Sequence, residues 1–530
     1  MELTRLIEEL SRAAAYPHPF EDFQLRHTHI SVVFLVDRFA YKVKKPVDLG
    51  FLDFTTLEKR RHFCDEEVRL NRRLAPGVYL DVVPITVEED GLRLGGGGRI
   101  VEYAVQMRRL PPEATFLSWL GRGELERTHL ERLADRVAAF HGNARSSAEV
   151  SRYGRFDVVS GNARENLEQS RPHVGETISR PVFDRISTVL ERRLQELQPL
   201  IEARADADVP RDTHGDLHLD HVYLFPGREP PADIVVIDCI EFNERFRYAD
   251  PVADAAFLVM DLIFHGRRDL ARVFAEAYFT ASRDDEGRRL LPFYVSYRAA
   301  VRAKVEGMIT EEREVPEGDR EAAVGRSRAH WLLALSQLED PNRRPCLLLV
   351  GGLPGTGKST LARGLAARAG FTVLSSDRTR KQLAGLEPDA PAGAAFGRGI
   401  YTEAWNRRTY SLLLRRATEC LFRGERVLVD ASFGRQGDRD RFFAAADRLG
   451  LPVFLFTCEA PAAQVLQRLA ARRPGSGPSD ADGSIYLGAA QVWEDPPRSM
   501  AHRTCRIETT RGPTASVEQA LDRLREARLL

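Results

Sequence analysis

Hydrophobic and polar positions follow three rhythms along the chain, and the changes between them mark its parts. From about residue 20 to 110, short apolar runs (ISVVFLVD at 30–37, FAYKVKK at 39–45, IVEYAVQMRRL at 100–110) have the alternation of half-buried strands, interrupted by one helical stretch at about 56–74. Residues 115–210 and 250–338 are then mostly helix-periodic. After a polar, proline-containing break, LEDPNRRP at 338–345, four apolar runs (CLLLVGG, FTVLSSD, RVLVDAS and PVFLFTC) alternate with helix-period segments. That last pattern is the one a parallel sheet with crossover helices produces. The expected organisation is an α+β domain over 1–338, with a small mixed lobe at about 20–110 and a helical lobe at about 111–338. A linker at 339–345 and an α/β domain over 346–530 complete it.

Composition agrees with a multidomain globular chain: 530 residues, more than one hydrophobic core usually spans, with 43% apolar and 29% charged residues. Lys+Arg and Asp+Glu both number 77, which gives no sign of a generic nucleic-acid or membrane binder. No apolar stretch approaches the roughly 18 residues of a membrane span. The N-terminal MELTRLIEELSRAAAYPHP carries acids and reads as an amphipathic helix rather than a signal peptide, so a cytoplasmic location is expected. Six widely spaced cysteines with no CxxC pair suggest buried thiols, not a disulfide frame or zinc knuckle. Seven lysines stand against seventy arginines. A lysine retained under such a bias points to a position needing a compact ammonium, as at a crowded phosphate; Lys42, Lys44, Lys45 and Lys358 are candidates.

Directly after CLLLV stands Gly352-Leu353-Pro354-Gly355-Thr356-Gly357-Lys358-Ser359, followed by Thr360 and a helical segment. This is the P-loop pattern in its proper strand-to-helix context, so ATP and Mg²⁺ are the expected cofactors. Gly352, Gly355 and Gly357 let backbone N–H groups wrap phosphate, Lys358 reaches the β- and γ-phosphates, and Ser359 offers a hydroxyl to Mg²⁺. FTVLSSD places Asp377 at a strand's carboxyl edge, where an aspartate can accept the proton of an attacking hydroxyl. Arg380, one turn on, is a candidate anion holder, and Asp430 at the end of RVLVDAS a candidate for supporting the metal. Arg468, with Arg472 and Arg473 at the start of RRPGSGPSDADGS at 472–484, a stretch expected to be mobile, suggests an arginine-bearing lid. Through GLPGTGKST, SSDRTR and RVLVDAS, residues 346–510 resemble the P-loop kinases that include polynucleotide 5′-hydroxyl kinases and zeta-toxin-like kinases. The resemblance implies that Asp377 is a general base and that Arg380 binds a neighbouring phosphate.

In the first part, Thr213-His214-Gly215-Asp216-Leu217-His218-Leu219-Asp220-His221 concentrates carboxylates and imidazoles ahead of a strand, and PADIVVID runs to Asp238, 22 positions after Asp216. Two strand-edge aspartates suit phosphoryl transfer, one taking a hydroxyl proton and one holding Mg²⁺. Zinc on His214, His218 and His221 is the competing idea, but no further ligand is evident. HGDLH followed by IDCIEF resembles the aminoglycoside phosphotransferase and choline kinase family, a branch of the protein-kinase-like fold. The resemblance implies Asp216 as catalytic base, Asp238 as metal ligand, and Asp250 and Asp254 of ADPVAD as a brace for the catalytic loop. Lys42 and Lys44 share a strand face, so either could meet the phosphates of ATP, with Glu67 as the ion-pair partner. Where the family has a metal-binding asparagine, five residues after the base, this chain has His221. The RHTHISVVF loop lacks glycine, leaving Thr28 or Ser31 hydroxyls and backbone N–H groups for phosphate. The expected function is a bifunctional ATP-dependent phosphotransferase acting on hydroxyl acceptors, either small molecules or nucleic-acid ends. The alternative is an N-terminal pseudokinase regulating one active P-loop kinase.

Overall fold

The computed structural model describes residues 2–312, 315–387, 398–471 and 481–530. By compactness the chain divides into two units, Met1–Asn162 with Glu196–Val295, and Ala163–Gln195 with Ser296–Leu530. The polar break, with its short turn Pro341–Arg343, lies inside the second unit. Among the described residues, no helix is long and apolar enough to cross a membrane.

The first unit opens on a six-stranded antiparallel sheet, in the order Phe23–His27, Ser31–Val36, Phe39–Lys44, Arg99–Arg108, Tyr79–Glu88, Gly91–Leu94. Strand alternation divides its side chains cleanly. Val32, Phe34, Val36, Tyr41 and Val43 pack with Leu6 and Leu10 of the helix Leu3–Leu10. Lys42, paired with Val33, and Lys44, paired with Ser31, therefore point to the opposite face. That side carries the helix Leu57–Asn71, whose Cys64 and Val68 pack with Tyr79 and Val105. Thr56 caps this helix by accepting the Lys59 N–H at 3.2 Å, satisfying one of the donors that a helix start leaves unpaired. The rest of the unit is largely helical, with the hairpin Val222–Leu224/Ile234–Val236 placed between the two aspartates of interest.

The second unit is built on a wholly parallel five-stranded sheet, ordered Thr372–Ser375, Arg426–Asp430, Cys346–Gly351, Val453–Glu459, Thr504–Glu508. Its central strand Cys346–Gly351 is buried throughout, as expected where helices cover both faces. Leu361 and Leu365 of the helix Lys358–Ala369 share a core with Val517, Leu521 and Leu524 of the helix Pro513–Glu526. The fifth strand, TCRIE, was not among the four apolar runs: it lies at the sheet edge and exposes alternate residues. Five cysteines are buried and Cys505 is half-buried, all of them free thiols.

Candidate active sites

Both lysines of the first unit's strand reach Glu67. Lys42 Nζ lies 2.8 Å from Oε1 and Lys44 Nζ 2.7 Å from Oε2. Beyond that carboxylate they diverge: Lys42 continues to Asp238 Oδ1 at 2.9 Å, whereas Lys44 pairs with Glu241. The Lys44 side chain is sealed at 0% exposure while Lys42 keeps 13%, so only Lys42 borders solvent. Three carboxylates thus surround two ammonium groups. Burial opposes the Lys42 charge, but Asp238, Glu67 and Glu241 outweigh it and hold its pKa well above the usual lysine value. Burial likewise pushes the Asp238 carboxyl up, and Lys42 reverses this, leaving it strongly lowered. Glu241 is raised, because burial there exceeds the help from Lys44.

The loop carrying Asp216 is held from beneath by Asp254, in the first turn of the helix Pro251–Phe264. Its carboxylate accepts the backbone N–H groups of His214 and Gly215, each at 2.9 Å, and meets His141 Nε2 at 3.1 Å. Asp250 caps the same helix by accepting the Val252 N–H at 2.9 Å and pairs with Arg204 at 2.6 Å. His214 donates Nε2–H to the Ile237 carbonyl at 2.9 Å and accepts the Asp216 N–H on Nδ1 at 3.3 Å. That tautomer is neutral, and burial pushes its pKa down to about 4. Gly215 has φ +86°, and a Cβ there would come within 2.9 Å of the Phe246 carbonyl oxygen, so this turn requires glycine.

Around Asp216, His218 Nε2 and His221 Nδ1 each lie 3.6 Å from carboxylate Oδ2. His221 Nδ1 also meets the Asp216 carbonyl oxygen at 2.9 Å, while Nε2 faces Asp238 Oδ2 at 3.8 Å. Asp238 itself is in the left-handed region, φ 60°, with its N–H donated to the Tyr79 hydroxyl at 3.2 Å. The next N–H, of Cys239, goes to Asn71 Oδ1 at 2.9 Å. Asp216, His218 and His221 have ligand atoms within 4.8 Å of one another. His214, proposed from sequence as a third imidazole for zinc, has both ring nitrogens engaged in the loop's hydrogen bonds. In the glycine-poor hairpin, Thr28 Oγ1 closes the turn on the Ser31 backbone at 2.9 Å and 3.1 Å, and Lys45 donates to the Thr28 carbonyl. Glu241, Tyr79 and Asn71 had no role in the sequence analysis; only Glu241, one residue beyond Ile240 in IDCIEF, carried a visible signal.

In the second unit, the loop from Gly352 to Gly357 turns into the helix Lys358–Ala369 at the carboxyl end of the central strand. Gly352 (φ +134°) and Gly355 (φ +78°) are irreplaceable for different reasons: a Cβ on the first would meet the Cys458 carbonyl oxygen at 2.6 Å, on the second Leu469 and Val465 at 2.9 Å. Thr356 donates its hydroxyl to the Leu353 carbonyl at 2.8 Å, and Lys358 Nζ donates to the same oxygen at 2.9 Å. Asp430 ends its strand as expected; burial raises its pKa, and Lys358 and Ser359 pull against that rise.

Asp377 differs slightly from the sequence expectation: the strand stops at Ser375, so Asp377 occupies the first turn of the helix Ser376–Leu383. A cavity of about 1010 Å³ brings it together with Lys358, Ser359, Thr360, Asp430, Arg380 and Arg468. Arg380 is 6% exposed and donates to the Ile400 carbonyl at 3.0 Å and Asn406 Oδ1 at 2.7 Å, with its guanidinium over the Tyr401 ring. Arg468 donates to the Thr509 carbonyl at 2.6 Å. Arg472, Arg473 and most of the stretch expected to be mobile lie outside the described residues.

Residues 57–292 match the model of the phosphotransferase enzyme family, and residues 347–493 match a model described as an AAA domain. The chain is 34% identical over 511 residues, 95% of its own length and 96% of theirs, to uncharacterized protein Rv2004c of Mycobacterium tuberculosis (strain ATCC 25618 / H37Rv) and uncharacterized protein Mb2027c of Mycobacterium bovis. Among solved structures, a gluconokinase from Sinorhizobium meliloti 1021 is similar to 35% of this chain over 95% of its own, with 20% identity and a TM-score of 0.27. The sequence resemblances carried by HGDLH/IDCIEF and by GLPGTGKST are therefore borne out: a phosphotransferase domain precedes a P-loop domain in one kinase-type chain.

Proposed function

The chain belongs to the same family as these mycobacterial proteins, and from that premise we propose that it is a bifunctional kinase, each unit moving the γ-phosphate of ATP to a hydroxyl acceptor. One observation carries the proposal. Each unit separately assembles an ammonium for phosphate, a carboxylate for a hydroxyl proton and a carboxylate facing the metal position: Lys42, Asp216 and Asp238 in the first, Lys358, Asp377 and Asp430 in the second. Lys42 rather than Lys44 meets phosphate, because Lys44 is sealed between Glu67 and Glu241.

ATP and Mg²⁺ fit the second unit's donor set: a backbone cradle that a Cβ would fill, one lysine, and the Ser359 hydroxyl against Asp430. Bound Mg²⁺ supplies charge neutralisation at the phosphates. Asp377 and Asp216 take the proton of the attacking hydroxyl on a carboxylate oxygen, and Arg380 and Arg468, which line the same cavity as Asp377, serve the acceptor and the transferred group. The proposed setting is cytoplasmic, and the acceptors are small molecules or nucleic-acid ends. The balanced charge of the chain favours recognition in a pocket over generic nucleic-acid binding.

His221, in the place of the related kinases' asparagine, favours a second reading in which the first unit binds nucleotide without turnover. The two separate in one experiment: transfer from γ-labelled ATP to a panel of sugars, aminoglycosides, amino alcohols and 5′-hydroxyl oligonucleotides by the full chain, by Lys358→Ala, by Asp216→Asn and by the double variant. A bifunctional enzyme loses a different acceptor in each single variant and all transfer in the double. Unaltered transfer in Asp216→Asn would leave the pseudokinase as the first unit's role.

A further inference from the structure

We infer that the first unit's cation site takes a divalent transition ion through nitrogen, between Nε2 of His221 and the carboxylate of Asp238, with Mn²⁺ the fitting class in place of an all-oxygen Mg²⁺ site. The inference deepens the phosphotransfer role proposed above and rests on it for the site's purpose.

The hydrogen bonds decide the imidazole's orientation. Nδ1 of His221 lies 2.9 Å from the Asp216 carbonyl oxygen, which can only accept. Nδ1 therefore carries the hydrogen, and Nε2 of the neutral ring presents its lone pair. What Nε2 faces is Oδ2 of Asp238, 3.8 Å away. Two electron-rich atoms oppose each other across a gap too long for a hydrogen bond, yet short enough for one ion to bond both. The other Asp238 oxygen is already engaged by Lys42 at 2.9 Å.

Both ligands are held before any ion arrives. Asp238 is fixed in its left-handed conformation by the bond to Tyr79, and the His221 ring lies against His218 with centroids 3.8 Å apart. A backbone carbonyl on the ring's other nitrogen is the arrangement that orients metal-ligating histidines generally. Imidazole is a poor ligand for Mg²⁺ and a good one for transition ions, whereas carboxylate and phosphate oxygens suit Mg²⁺ and Mn²⁺ alike. Mn²⁺ accepts both kinds of donor.

The test uses the full chain, stripped of metal and titrated with Mn²⁺ without nucleotide, with and without a tenfold excess of Mg²⁺. Free Mn²⁺ is followed by electron paramagnetic resonance and directly bound nitrogen by its pulsed form. The second unit's candidate metal donors, Ser359 and Asp430, are oxygens, so a nitrogen coupling reports the first site. The expected result is an imidazole coupling that survives Mg²⁺ and disappears in His221→Asn, with Mn²⁺ affinity there falling at least about 10-fold, the least that loss of a mere supporting residue costs, and Mg²⁺ affinity not falling. His221→Gln, with circular dichroism on both variants, separates ligand loss from misfolding. Bound Mn²⁺ without nitrogen coupling in the wild type, or the same coupling in His221→Asn, overturns the inference. Transfer by Lys358→Ala with Mg²⁺ but no nitrogen coupling would defeat the cation inference and leave the first unit a kinase; nitrogen coupling without transfer would do the reverse.

Discussion

The two units build their candidate sites from different materials. In the second, the cradle is main chain: glycines at φ +134° and +78° admit close approach, and the one lysine of the loop donates to the Leu353 carbonyl. The first relies on side chains drawn from four distant places, Lys42 and Lys44, Glu67, Asp216 with His221, and Asp238 with Glu241. A main-chain cradle depends on conformation and is damaged by adding atoms. A network of buried charges depends on partners and is damaged by removing them, since the charge left behind has neither water nor counter-ion.

That contrast is most sharply tested at the lysines. Lys358→Ala should lower transfer by the second unit about 10²–10³-fold while leaving urea unfolding nearly unchanged, as read by single-turnover kinetics in an Asp216→Asn background. An equal loss of stability would erase the distinction. Lys44→Met should act the opposite way, destabilising the first unit by roughly 3–5 kcal/mol, because Glu67 and Glu241 would be left sharing a sealed site. Lys42→Met, at a partly open position, should cost less stability and more activity; equal midpoints for the two variants in urea would contradict this assignment.

The smallest expected effect is a pH dependence. His214 has a folded pKa of about 4 against an ordinary imidazole value of 6.5. Between those values the unfolded chain binds the proton and the folded one does not, so stability rises with pH in that window. The first unit should have this contribution in full above pH 6.5 and lose up to about 3 kcal/mol as pH falls towards 4. Urea unfolding at pH 7.5 and pH 5, compared with His214→Gln, measures it. Parallel curves for variant and wild type would show that His214 is not the source.

The same contrast explains what could be read without coordinates. GLPGTGKS was legible because its chemistry lies in consecutive residues between a strand and a helix. The alternation over 30–45 placed Lys42 and Lys44 on one face but could not choose between them, since the choice depends on Asp238 and Glu241, some two hundred positions away. The lysines that scarcity singled out do separate work: Lys42 on Asp238, Lys44 on Glu241 and Lys45 on the Thr28 carbonyl. The roles of Tyr79 and Asn71 gave no local signal, because their partners are backbone N–H groups at Asp238 and Cys239. Asp377 was placed at the end of a strand that in fact gives way to a helix at Ser376, a boundary that apolar periodicity alone does not define.

The distance from Gly355 to Leu469 and Val465 has a mechanical meaning. Those two residues belong to the helix Ala462–Ala470, which also carries Arg468, and not even a methyl group fits between them and the loop. Close-packed surfaces with no slack transmit displacement rather than absorb it. A displacement of the loop therefore reaches the helix that carries Arg468 directly, through the side chains of Val465 and Leu469.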